Sequence, residues 1–220
     1  LPYIDFISTV HKSTKRDYLA RVNEFPKAES MKIAKKYDYD FWDGDRKFGY
    51  GGYKYDGRWY KIAEAMIDHY GIKPGDTILD VGCGKGFLLY DFSQIIPEVQ
   101  IKGIDVSEYA IENAKKEVKP FLETGNAVSL PYEDNSFDLV ISINALHNLY
   151  CYDLVTALKE MERVAKKNKY LVVEAYRNDE EKVNLMYWVL TAECFFTPEE
   201  WEWFFNLSGY TGDHSFIYFE

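Results

Sequence analysis

The sequence has few cysteines, no long apolar run and no excess of positive charge. Its three cysteines, Cys83, Cys151 and Cys194, are spread through 220 residues without a CxxC pair. That spacing argues against a zinc site and against a disulfide framework, and it suits a reducing cytoplasm. No stretch approaches the ~18 uninterrupted apolar residues that a membrane span requires. The visible N-terminus, LPYIDFISTV, has no basic region, apolar core or small-residue cleavage site, so no signal peptide is expected in it. Lys and Arg number 26 against 36 Asp and Glu, a net charge of −10. Nucleic-acid binding needs a basic face that displaces counterions from phosphates. A nucleic-acid partner is therefore not expected, and a small-molecule substrate is.

What is present is organised in two parts. Residues 1–60 hold 12 Lys and Arg against 9 Asp and Glu, so the acid is concentrated in the remainder. Ser13 and Thr14 can cap a helix running to about Val22, and Pro26 opens a second through about Lys36. Residues 37–60 contain ten Tyr, Phe or Trp and five Gly, too Gly-rich for a regular element and too aromatic for a plain linker. From about Trp59 the pattern becomes strand alternating with helix. A helix carries Ile62, Ala63, Met66, Ile67 and Tyr70 on one face, followed by the strand TILDVG (77–82). A helix at 86–96, a strand at 99–105, a Ser-capped helix at 107–118 and strands at 121–127 and 136–143 come next. Helix 153–166, strand 169–176, a helix over 179–192, a capped helix at 197–209 and a strand at 215–219 complete the order. This alternation predicts an α/β fold, a doubly wound and mostly parallel sheet covered on both faces. The expected division is a helical and aromatic cap over 1–60 and a ligand-binding domain over 61–220.

The chemistry centres on Leu79-Asp80-Val81-Gly82-Cys83-Gly84-Lys85-Gly86, where the first strand turns into a helix. In such sheets ligands bind beyond the carboxyl ends of the strands. Glycines there let backbone approach a ligand and adopt positive φ. Asp105 ends the second strand, where a carboxylate can accept hydrogen bonds from ribose hydroxyls. A dinucleotide site has the same outline, but its fingerprint is GxGxxG. Here the pattern is GxGxG with Asp80 two residues before it. A carboxylate sits poorly beside a pyrophosphate and suits a cation such as the sulfonium of S-adenosylmethionine.

At these residues the chain resembles the class I, Rossmann-like small-molecule methyltransferases, over about 58–176. DVGCGKG, GIDVS (103–107), GNAVSLPYEDNSFDLVISINALHNL (125–149) and ALKEMERVAKKNKYLVVE (157–174) carry the likeness. The resemblance implies that S-adenosylmethionine is the cofactor. Gly82, Cys83, Gly84 and Gly86 would flank its methionine part, Asp105 and Val106 its ribose, and Asn126 with Ala127 its adenine. Asn126 stands where many relatives have Asp; its amide carbonyl can still engage the adenine amine. Asn144 would line the transfer site. Lys167-Asn168-Lys169 replaces a Gly-Gly turn before strand five, and Asn tolerates such a turn. The family's sheet ends in an antiparallel hairpin, of which only the strand at 215–219 can be placed.

Arg58 lies at the start of the helix before strand one, where an Arg in similar enzymes binds the cofactor carboxylate; the alternative is a surface ion pair with a nearby acid. Tyr53 and Tyr55 can close over the cofactor as a lid, or the aromatics can pack the N-terminal helices onto the sheet. Methyl transfer needs mainly alignment, and a hydroxyl nucleophile gains from a base. His147 is the leading candidate base, with a structural role as the alternative. Tyr150, Tyr152 and Tyr176 are pocket candidates and Glu174 a second candidate base. Asp134-Asn135 reads as a surface turn, and no metal site is expected. The function expected is methyl transfer to a small polar acceptor, such as a sugar hydroxyl. The alternatives are a protein side chain as acceptor and a cofactor-binding protein without catalysis. Oligomeric state is not legible.

Overall fold

The computed structural model describes residues 1–12 and 16–220, so the expected cap at Ser13 and Thr14 lies outside the described residues. Four short helices lead in: α1 (Ser8–Lys12), α2 (Tyr18–Asn23), α3 (Lys27–Ala34) and α4 (Tyr39–Trp42). Asp17 caps α2 by accepting from the Ala20 N–H, and Pro26 is the N-cap of α3. The chain then alternates: α5 (Tyr60–Tyr70), β1 (Thr77–Val81), α6 (Phe87–Ile95), β2 (Gln100–Asp105), α7 (Glu108–Glu112), β3 (Leu122–Thr124) and β4 (Phe137–Ile143). It closes with α8 (Cys151–Val164), β5 (Ala165–Glu174), α9 (Asp179–Trp188), α10 (Pro198–Ser208) and β6 (Asp213–Ile217).

The six strands form one sheet in the order β3-β2-β1-β4-β5-β6. Every neighbouring pair is parallel. Strand side chains alternate between faces, and the core divides accordingly. Ile78, Leu139, Ile141, Tyr170 and Val172 pack with α5 and α6 on one face. Leu79, Val81, Val140, Leu171 and Val173 pack with α8 and α10 on the other. Strand order reverses between β1 and β4, so a crevice opens beyond their carboxyl ends. No helix among the described residues is long and apolar enough to cross a membrane.

Several boundaries differ from the sequence-based expectation. The helix expected over 107–118 ends at Glu112. Lys115 leaves the helical path, its backbone N–H bonding to Lys85 O and its ammonium lying over Tyr90 at 3.9 Å. The turn expected at Lys167-Asn168-Lys169 does not form. Helix α8 passes directly into β5, where Asn168 pairs with Leu139 across a bulge. Lys169 is buried and ion-pairs with Glu162 at 3.0 Å. The terminal hairpin is absent among the described residues. Instead β6 pairs parallel with β5, and the N-terminal segment covers its outer edge through Ile4 N–H to His214 O and His214 N–H to Pro2 O. That cover protects an edge strand that would otherwise invite further pairing. Helix α10 forms as read: Thr197 and Glu200 make a capping box, Pro198 opens it and left-handed Gly209 ends it.

Candidate functional site

The loop after β1 is held by the strand beside it. Gly82 N–H and Cys83 N–H both donate to Ile104 O, and Gly84 N–H donates to Asp105 Oδ2 at 2.8 Å. Gly82 and Gly84 adopt positive φ of 83° and 54°, the region that favours glycine. Each also has a protein neighbour where a side chain would go. A Cβ on Gly82 would stand 2.3 Å from Ala145 Cβ, and one on Gly84 would stand 2.8 Å from the Trp42 ring. Gly86, the N-cap of α6, faces Leu122 and Val118 rather than the crevice.

A cavity of about 580 Å³ lies over this loop, within the ~300–1,000 Å³ usual for small-molecule sites. Gly82, Cys83, Gly84, Asp105, Val106, Asn126, Ala127 and Asn144 line it, as do Tyr53 and Arg58 from the N-terminal part. Asp105 is buried, with Oδ1 accepting from Ser107 N–H and Oδ2 from Gly84 N–H. Burial outweighs these donors and leaves its carboxyl above its ordinary value. Asp80 is also buried but does not line the cavity. Burial, with Asp105 adding, pushes it up to about 7. Two carboxyls held against ionisation beneath one loop suit a cationic ligand, whose charge would restore them. Asn126 Oδ1 accepts from Val128 N–H, which uses one of the two acceptor sites of the carbonyl expected to meet the adenine amine. Asn144 follows β4 at φ 59°, with a buried Oδ1 that has no hydrogen-bond partner.

The aromatic segment is fastened down over the loop. Trp42 donates to Ser107 Oγ at 2.9 Å and stacks on Tyr50 at 5.3 Å. Tyr53 stacks on Phe87 at 5.0 Å, and Tyr55 donates to Asp91 at 2.6 Å. Buried Lys85 reaches up from the glycine loop to Asp43 at 2.6 Å and to Tyr53 O. These contacts are those of packing onto the sheet: Tyr53 also lines the cavity, whereas Tyr55 does not. Lys85→Met should lower stability by up to about 3 kcal/mol, the low end for a buried pair because Asp43 keeps some access to water. Limited proteolysis should then cut between residues 44 and 58 at a protease concentration that leaves the parent intact.

The candidates for catalysis are placed differently. His147 is buried in the turn after β4 and does not line the cavity. Its Nε2 is 3.4 Å from Glu174 Oε2, and burial pulls it down to about 3, so the ring is neutral. Glu174, at the end of β5, does line the cavity. Burial pushes its carboxyl up to about 8, with Arg16 acting in the opposite direction. Tyr150 is exposed at the start of α8 and stacks on Tyr152, while Tyr176 lies beneath Lys182 at 4.8 Å. None of the three tyrosines lines the cavity. Arg58 does, but its guanidinium is already paired with Asp56 at 2.6 Å. Sequence reasoning did not single out Trp42, Tyr50, Arg16, Arg46 or Trp188, all of which line the cavity. Nothing in residues 37–60 distinguishes aromatics that face a ligand from those that pack.

A parallel sheet with this strand order, a glycine loop after β1 and a buried carboxylate ending β2 define a Rossmann-like, nucleotide-binding type of α/β domain. The chain belongs to the family described as Methyltransferase domain, which residues 72–209 match. The demethylmenaquinone methyltransferase of Symbiobacterium thermophilum is 35% identical over 128 residues, covering 54% of this chain and 50% of that protein. The 2-phytyl-1,4-naphtoquinone methyltransferase of Trichormus variabilis is 32% identical over 137 residues, covering 58% and 59%. The chain thus spans about half the length of the curated relatives it matches. Among solved structures, the YcgJ protein of Bacillus subtilis superposes with a TM-score of 0.55 at 25% identity, over 66% of each chain.

Proposed function

We propose that this protein transfers a methyl group from S-adenosylmethionine to a hydroxyl oxygen of a small polar acceptor, sugars included. The observation that carries this reading is that Glu174, Asp105 and the glycine loop line one cavity. When bound, S-adenosylmethionine supplies a methyl on a positively charged sulfur, already activated toward attack. Asp105, fixed by two backbone donors, would hold the ribose hydroxyls, Asn126 and Ala127 would border the base, and Asn144 with the Gly82–Gly84 backbone would border the methionine part. The Tyr50 hydroxyl lies against the Asn144 amide and is near enough to Glu174 to feel its charge.

Glu174 takes the acceptor's proton. Its Oε2 lies 3.4 Å from His147 Nε2. S-adenosylmethionine would supply the methyl group and a neutral thioether as leaving group, and the Glu174 carboxylate would take up the proton that the acceptor hydroxyl gives up. A carboxyl held near 8 is a stronger base than an ordinary one, and a cationic sulfur nearby favours its ionised form. In this reading His147 is a positioning residue behind Glu174. A second reading, methylation of a quinone-type ring, is favoured by the names of the two curated relatives and by the aromatic walls of the cavity.

Methyl-labelled S-adenosylmethionine incubated with the protein and a size-fractionated cell extract tests the proposal. Label in the low-mass fraction, in a product whose methyl is on oxygen, is expected. Label on carbon would favour the ring reading. Label in the macromolecular fraction would overturn both, and the aromatic cap would then be a docking surface.

A further inference from the structure

The wide spacing of the cysteines speaks against a disulfide framework, yet the fold brings two of the three together. Cys151 is the first residue of α8 and is exposed. Cys194 lies between α9 and α10 and is fully buried, in the core on the α8 and α10 face of the sheet. Backbone fastens the Cys194 segment to the turn that leads into α8. Glu193 N–H and Cys194 N–H both donate to His147 O at 3.0 Å, and the Cys194 thiol donates to Leu149 O at 3.2 Å. Leu149 is two residues before Cys151, so the Cys194 sulfur sits at the foot of α8. The Cys151 thiol is in hydrogen-bonding contact with it. Burial, with that contact adding, holds the Cys194 thiol protonated, well above its ordinary value. A buried cysteine alone packs as a small hydrophobe. Packing does not explain a second, exposed thiol placed against it. Cys83 lies in the core on the opposite face of the sheet, away from this pair.

We propose that Cys151 and Cys194 form a reversible disulfide when the protein meets a hydroperoxide. This modification site stands independently of the methyl-transfer reading. Cys151, the accessible sulfur, reacts first. Its thiolate attacks one peroxide oxygen, the O–O bond breaks, and the hydroxide released takes up a proton as water. The sulfenic acid left on Cys151 condenses with a neighbouring thiol. The Cys194 sulfur attacks the Cys151 sulfur, the S–S bond forms and the S–O bond breaks. The departing hydroxide takes the Cys194 proton as a second water. The two thiols together lose two electrons, which reduce the peroxide to water. A small thiol reverses the bond by exchange at the exposed sulfur, the behaviour of a redox-sensing disulfide rather than a structural one. The bond would close over the turn that carries Leu146, Asn148 and Leu149, all of which line the cavity.

The test treats the reduced, folded protein with hydrogen peroxide, then denatures it and alkylates the remaining thiols. The expected product has an intact mass lower by two hydrogens, a single alkylated cysteine, Cys83, and a peptide cross-link between Cys151 and Cys194 that dithiothreitol removes. Because the fold holds the partners together, the link should form at least about tenfold faster in the folded protein than in guanidinium chloride. Cys194→Ala should leave Cys151 as a sulfenic acid that dimedone captures. Cys151→Ser changes only the exposed member, and under the same peroxide it should leave Cys194 a free thiol. Cys151 carrying oxygen, or joined to a second protein molecule, while Cys194 of the parent remains alkylatable would overturn the proposal. So would cross-links that include Cys83, a link that forms no faster in the folded protein, or peroxide that leaves both thiols intact.

Discussion

Gly82→Ala is expected to lower the melting temperature by about 5–15 °C and to weaken S-adenosylhomocysteine binding at least tenfold. Two costs combine. Gly82 has φ 83°, and a side chain there costs ~1–2 kcal/mol. The new methyl would stand 2.3 Å from Ala145 Cβ, and overpacking of that kind costs ~1–3 kcal/mol. Together these give about 2–5 kcal/mol, at ~2–4 °C per kcal/mol for a chain of this size. The strain falls where β1 and β4 separate, so relief can come only by moving the loop or the Asn144–Ala145 turn, and both line the cavity. Two comparisons separate the terms. Gly71 has φ 65° and open space around it, so Gly71→Ala carries the backbone cost alone and leaves binding unchanged. Adding Ala145→Gly to Gly82→Ala removes the clash and should recover part of the stability. If the double variant is no more stable than the single one, the contact with Ala145 is not what demands glycine.

The part of this site that could be read from the chain is the part made of short, local pattern. The loop after β1 and the acid ending β2 depend on residues within a few positions of a strand end, and their spacing alone separates them from a dinucleotide fingerprint. Strand existence was legible for the same reason, since four- to seven-residue apolar runs between turn signals leave few alternatives. The rest depends on contacts between distant segments. The glycine at position 84 is needed because Trp42 covers it, a relation across 42 positions that no periodicity reveals. The early end of α7 follows from Lys115 being drawn to Lys85, Tyr55 and Tyr90. The bulge that absorbs Asn168 into β5 follows from pairing with β4. Arg16 and Arg21 from one stretch of chain and Arg46 from another gather around Trp188, and as sequence they look like ordinary surface charge. Choosing between His147 and Glu174 required depth. Both sit at the carboxyl edge of the sheet, but only Glu174 reaches the cavity wall.

Glu174→Gln should lower kcat by about 10²-fold or more, the usual worth of a positioned base, while S-adenosylhomocysteine affinity holds. The pH dependence makes the assignment specific. The parent's kcat/KM should rise with pH through about 8, where the carboxyl of the free protein ionises, and the variant's should be nearly flat over that range. A pKa raised in the folded state also has a consequence for stability. An unfolded Glu titrates near ~4.3, so the folded protein holds this proton more tightly. Its contribution is fully present below about pH 4 and is lost as pH rises through 8. Asp80, pushed up to about 7, acts in the same direction over a slightly lower window. The parent protein without ligand should therefore lose melting temperature between pH 5 and 9. Glu174→Gln keeps the neutral shape at every pH, so it should lose less, with the remaining slope confined below about pH 7.5 where Asp80 titrates. An inactive variant more stable than its parent at pH 8 is the expected mark of a carboxyl kept buried for its chemistry. A variant with parental kcat and an unaltered pH profile would remove Glu174 from the reaction. Methyl transfer would then have to proceed without a base, as it can when the acceptor carbon or oxygen is already electron-rich.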